Sequence, residues 1–118
     1  MLEGLNFIIL NVPDIEEARA FYTEKIGLEV ASASPGFVQF KQVQPGAGFA
    51  LQKSDSPAPY EGVELWWQVS DADTVYSQLI GRGVGVASPP QDMPFGRAFT
   101  LQDLNGNKLN MYQLPAGR

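Results

Sequence analysis

The sequence predicts an α+β fold: two βαβββ units whose mixed, curved sheets form a trough with helices on the outside. Three observations predict it. Leu10 to Tyr22 (LNVPDIEEARAFY) and Trp67 to Leu79 (WQVSDADTVYSQL) echo each other, with Val12 and Val69 57 residues apart and Asp14 and Asp71 at the same interval. Each stretch passes from a β-rich run through V-x-D into a helical pattern. Each is followed by three short strand-like runs broken by Gly and Pro. A repeat over half the chain indicates two copies of one supersecondary unit. With 118 residues the chain has the length of a single domain. Its units span about 1–53 and 62–118, joined by a Pro-rich linker at 54–61.

In the first unit, FIILNV suits a buried strand. Asp14 is placed to cap a helix, with Glu17 three residues on as capping-box partner. The helix is expected from Ile15 to Ile26, with Ala18, Phe21 and Tyr22 on its inner face and Gly27 ending it. LEVASAS, FVQFKQV and GFALQK follow as strands.

The second unit repeats the plan. VELWWQV is a strand, Asp71 a cap, and Ala72, Val75 and Leu79 one helix face, closed by Gly81 and Gly83. VGVAS, RAFTLQD and NKLNMYQ are strands, the last two separated by a turn at Asp103 to Asn107 rich in residues that tolerate left-handed backbone. SPPQDMPFGR, Ser88 to Arg97, is expected as a loop whose apolar Met93 and Phe95 either tuck against their own sheet or offer contacts to a ligand, with Arg97 in a local ion pair.

Composition removes whole classes of function. There is no histidine and no cysteine, so Ser-His-Asp triads, His- or Cys-ligated metals and disulfides are excluded. A net charge of −5 with no Lys/Arg cluster argues against a nucleic-acid partner. The opening MLEGLNFIILNVPD has no basic run, and its apolar stretch is too short for a bilayer. A soluble, cytoplasmic protein without membrane partners is expected.

V-P-D-I-E-E-A-R-A-F-Y-x-x-x-I-G-L, the later F-G-R-A-F-x-L-x-D-x-N-G-N-x-L and the paired βαβββ layout resemble the vicinal oxygen chelate superfamily (glyoxalase, bleomycin resistance protein, dioxygenase). The resemblance runs from Leu5 to Gln113. It implies four metal-ligand positions in the metal-using members, one in the first and one in the last strand of each unit. Here they hold Phe7, Ala50, Glu64 and Asn110. Phe and Ala cannot ligate, and two oxygens are too few for Zn, Ni or Mn. The resemblance is therefore closest in character to the metal-free bleomycin-resistance-like branch, and no cofactor is expected.

Strand alternation assigns the faces. If Glu64 faces the trough, so do Trp66 and Gln68, while Leu65 and Trp67 face the core. The same parity places Phe7, Ile9 and Asn11 in the trough, with Lys108, Asn110 and Tyr112 from the last strand. By analogy with the family, Ala98 and Thr100 join them. The expected ligand-binding set is Phe7, Ile9, Asn11, Glu64, Trp66, Gln68, Thr100, Asn110 and Tyr112. Glu64 has two readings: a group that binds ligand or takes a proton, or an ordinary ion pair with Lys108. Tyr60 is a lid or a plain surface aromatic.

The expected function is non-catalytic binding that sequesters a flat aromatic or cationic small molecule, as in antibiotic resistance. The alternative is a metal-independent isomerase or lyase with Glu64 as general base and Asn110 as oxyanion donor. A third reading makes the trough an interface with a partner protein. A homodimer is expected, with the trough either within one chain or shared by two.

Overall fold

A computed structural model describes all residues except 4, 45, 56–62 and 116–118. The linker and Tyr60 thus fall outside the described residues, apart from Ser54 and Asp55. The chain divides into two compact units, Met1–Ala58 and Pro59–Arg118.

Unit 1 contains β1 (Phe7–Val12), α1 (Ile15–Ala20), a π-helical turn (Phe21–Lys25), β2 (Val30–Ser34), β3 (Phe37–Phe40) and β4 (Gly48–Lys53). Its sheet runs β1-β4-β3-β2, with β1 and β4 parallel and the other pairs antiparallel. Asp14 caps α1 as expected, its carboxylate accepting from the Glu17 amide at 3.0 Å. Such a cap is worth about 1 kcal/mol. Alternation along β1 buries Leu10 and Val12 and leaves Phe7, Ile9 and Asn11 exposed. The helix side of the sheet holds a ring cluster. Tyr22 meets Phe21 at 5.2 Å and Phe49 at 5.5 Å, and Phe49 stacks on Phe40 at 5.7 Å. Burying each ring fully contributes on the order of 1.5–3 kcal/mol.

The expected single helix from Ile15 to Ile26 is corrected here: α-helix gives way to π-helix at Phe21. The Thr23 hydroxyl bonds back to the Arg19 carbonyl at 2.8 Å, a contact that loosens a helix locally. The Ile26 amide then reaches the Phe21 carbonyl, five residues back. Gly27 stops the helix at φ 93°, and the Leu28 amide closes on the Tyr22 carbonyl at 2.9 Å. Counting shows why the turn widens. Gly27 lies thirteen residues after Asp14, while Gly83, the matching stop in unit 2, lies twelve after Asp71. A π-turn is how one surplus residue is housed in an α-helix.

Unit 2 contains β5 (Trp66–Gln68), α2 (Ala72–Gly81), β6 (Gly85–Met93), β7 (Gly96–Gln102) and β8 (Lys108–Gln113), with sheet order β5-β8-β7-β6. Asp71 caps α2 through the Thr74 amide at 3.1 Å. Gln113 adds a second tie, its side-chain carbonyl accepting from the Ala72 amide at 2.8 Å. Phe99, Leu101, Leu109 and Met111 are buried on the helix side.

Three expectations change in this unit. The first strand is three residues long, not seven, because the Asn110 side chain takes the Leu65 carbonyl in place of a backbone ladder bond. Trp67 is half-buried and not sealed in the core, since β5 is the sheet's edge and leaves one flank open. SPPQDM is strand, not loop. β6 absorbs its prolines by register shifts between Val86 and Ser88 and between Ser88 and Gln91, as an edge strand can. Only Pro94 and Phe95 turn the chain into β7. Arg97 does form local ion pairs. It holds Asp73 of α2 through two bonds at 2.8 and 3.1 Å and Asp92 of β6 at 3.0 Å. The Asp73 hydrogen bonds, with those to Asp92, raise its already high pKa.

Among the described residues no helix is long and apolar enough to cross a membrane.

Candidate functional site

The face of the unit 2 sheet turned away from α2 carries two rows of side chains. Register sets Trp66 beside Asn110, Asn110 beside Thr100, and Thr100 beside Ser88. The next row runs Gln68, Tyr112, Ala98, Gln91. Parity therefore does bring Trp66, Gln68, Thr100, Asn110 and Tyr112 to one face, and Glu64, just ahead of β5, lines a depression with Thr100 and Asn110.

At one end of this face lies an aromatic cluster. Trp66 meets Phe95 edge to face at 5.4 Å and 90°, and Tyr112 at 5.9 Å and 76°. Phe95 and Tyr112 are 6.2 Å apart at 73°. Such perpendicular pairs leave ring faces uncovered. The three rings line a shallow cavity of about 320 Å³, and Trp66 remains 42% exposed. Phe95, noted in the sequence as an apolar loop residue, is the member absent from the expected binding set. Its signal was an aromatic beside a glycine at a strand junction. Gly96 has φ +142°, and a Cβ there would collide with the Gln113 carbonyl, so glycine alone allows the hairpin to bring Phe95 over the sheet.

Beside the rings is a polar depression of about 780 Å³, lined by Glu64, Ser88, Thr100, Lys108 and Asn110 and rimmed by the turn Asn105–Asn107. Asp103 organises that turn. Its buried carboxylate accepts from the Asn105 and Asn107 amides and the Asn107 side chain at 2.8 to 3.0 Å. Glu64 joins the two regions, accepting the Trp66 indole N–H at 3.0 Å. It makes no ion pair with Lys108, so that reading of Glu64 is corrected. Asn110 is only 8% exposed. Its Oδ1 accepts from the Thr100 hydroxyl at 2.8 Å, and its Nδ2 donates to the Leu65 carbonyl at 3.2 Å.

Phe7, Ile9 and Asn11 lie on the corresponding face of unit 1. Gly48 makes room for the Phe7 ring, since a Cβ on Gly48 would lie 2.6 Å from it. Asn11 accepts from the Gln52 side chain at 3.3 Å.

The residues at the four family metal positions do not fit a metal ion. Phe7 and Ala50 offer carbon only, and Ala50 is fully buried. Glu64 and Asn110 are the only oxygen donors of the four, and the Asn110 oxygen already accepts from Thr100. Among the described residues no group of three or more Asp, Glu, His or Cys side chains could hold an ion.

Comparison with known proteins places this geometry in context. The model of the Glyoxalase/Bleomycin resistance protein/Dioxygenase superfamily matches residues 4–111. A glyoxalase/bleomycin resistance protein/dioxygenase from Nocardioides is 25% identical, with TM-score 0.78, covering 100% of this chain and 87% of its own. TnmS3, an antibiotic binding protein from Streptomyces sp. CB03234, is 27% identical, with TM-score 0.78, covering 97% of this chain and 98% of its own. A putative glyoxalase family protein from Bacillus anthracis shares the fold, with TM-score 0.81 at 23% identity and 98% coverage of both chains. No curated protein matches the chain.

Proposed function

The chain belongs to the glyoxalase/bleomycin resistance protein/dioxygenase superfamily, and within it we propose a non-catalytic binding protein that sequesters a flat aromatic or cationic small molecule. One observation carries this reading: Trp66, Phe95 and Tyr112 form a half-open aromatic cluster next to a depression lined by polar and charged groups. Ring faces attract both flat π-systems and cations. The similarity to TnmS3, an antibiotic binding protein, supports the same role. The residues at the metal positions favour the bleomycin-resistance-like branch over the metal-using enzymes. The competing isomerase or lyase would have to work through the second carboxylate oxygen of Glu64 and the second amide proton of Asn110, since the first of each is engaged with Trp66 and Leu65. We further propose a homodimer on the family resemblance, for which light scattering should return twice the chain mass.

Titrating intrinsic tryptophan emission with a panel of aromatic and cationic compounds tests the binding role. Saturable quenching in the native protein and its loss in Trp66→Ala are expected. Quenching that persists in the variant refutes the aromatic-cluster site. Turnover of any panel compound that Glu64→Gln abolishes refutes the non-catalytic role.

A further inference from the structure

Building on that binding role, we propose that the ligand carries an α-amino-acid group, an ammonium and a carboxylate on one carbon, close to its aromatic part. The argument rests on Glu64 and Lys108. Lys108 stands two residues before Asn110 and Glu64 two before Trp66, and Asn110 and Trp66 are paired in parallel register. The two charges thus arise from neighbouring chain segments, Lys108 at the start of β8 and Glu64 just ahead of β5. Both line the same depression. Opposite charges so placed would ordinarily pair, yet neither is in an ion pair with the other or with any described residue. The Glu64 carboxylate is instead bonded to the Trp66 indole.

An acid and a base therefore face one space without a protein counter-charge. A ligand with a single charge is attracted by one group and repelled by the other. A neutral ligand satisfies neither. A closely spaced ammonium and carboxylate satisfies both, the ammonium at Glu64 and the carboxylate at Lys108. Because Glu64 is bonded to Trp66, the amino-acid group and the ring need only a short tether between them.

Four para-nitrophenyl probes that quench tryptophan test this on the native protein: para-nitrophenylalanine, para-nitrophenethylamine, para-nitrophenylpropionate and para-nitrotoluene. The first carries both charges, the second an ammonium, the third a carboxylate and the last neither. The amino acid should bind about ten-fold or more tightly than each of the others. Glu64→Gln should abolish its advantage over the propionate, and Lys108→Met its advantage over the amine. Both residues are exposed, so both variants should fold. If the neutral or a singly charged probe binds as tightly as the amino acid, the inference falls and the aromatic-cluster reading stands. If no probe quenches, both fall.

Discussion

The Trp66 indole nitrogen lies 3.0 Å from Oε1 of Glu64, two residues earlier and just ahead of β5. This bond ties the aromatic cluster to the polar depression. It also gives the Glu64 carboxylate a fixed partner within the site.

Glu64→Ala should therefore disturb the site more than the fold. Both side chains are exposed, so the loss in stability should stay below ~1 kcal/mol in urea unfolding. The emission maximum of Trp66 should move, because its N–H exchanges a carboxylate for water. An unmoved spectrum would mean that the bond does not hold the ring in solution.

Asn110→Ala should behave in the opposite way. The amide is buried and serves both the Thr100 hydroxyl and the Leu65 carbonyl. Removing it should cost on the order of 1–3 kcal/mol, since it strands partners away from water. Denaturant midpoints for Asn110→Ala and Thr100→Val would check this, the second losing only one bond and about 1 kcal/mol.

Two glycines separate backbone strain from collision. Gly106 has φ +81° with open space around it, whereas Gly96 has φ +142° and the Gln113 carbonyl in the way. Gly106→Ala should cost about 1 kcal/mol, and Gly96→Ala more than ~3 kcal/mol, with Phe95 displaced from Trp66. Equal losses in thermal unfolding would contradict the collision.

Asp55 supplies a pH marker. Lys53 bonds it at 2.7 Å, and that hydrogen bond, with the ammonium's charge, holds its carboxyl below the ordinary value. A folded-state pKa that is depressed gives stabilisation present above the unfolded value and lost as pH falls through the folded one. The pair is exposed, so the effect belongs to carboxyl titration followed by NMR, where Lys53→Met should return Asp55 to its usual range.

The repeat, both Asp caps, the Gly27 stop and the strand faces were legible because each is a local rule with a short period. Val12 and Val69 mark one strand plan, and alternation from Glu64 sorted Trp66 from Trp67 correctly by face. What stayed hidden depends on contacts between distant residues. Nothing near Leu65 says that Asn110, 45 residues on, will take its carbonyl and shorten the strand. Prolines at 89 and 90 signal a break, yet an edge strand has a free side where missing amides cost little. Glu64 had two partners within reach, an indole and an ammonium, and only the folded side chains choose between them.

The widened turn after Ala20 has a bearing on how the two halves tolerate change in length. One helix carries a residue more than its twin, but the surplus is swallowed before Gly27 and never reaches the strands. The anchors at either end, an aspartate and a left-handed glycine, stay where the sheet needs them. Insertions or deletions of one residue between Phe21 and Lys25 should thus leave β2, β3 and β4 in place, whereas the same change inside β4 would turn its inward side chains outward.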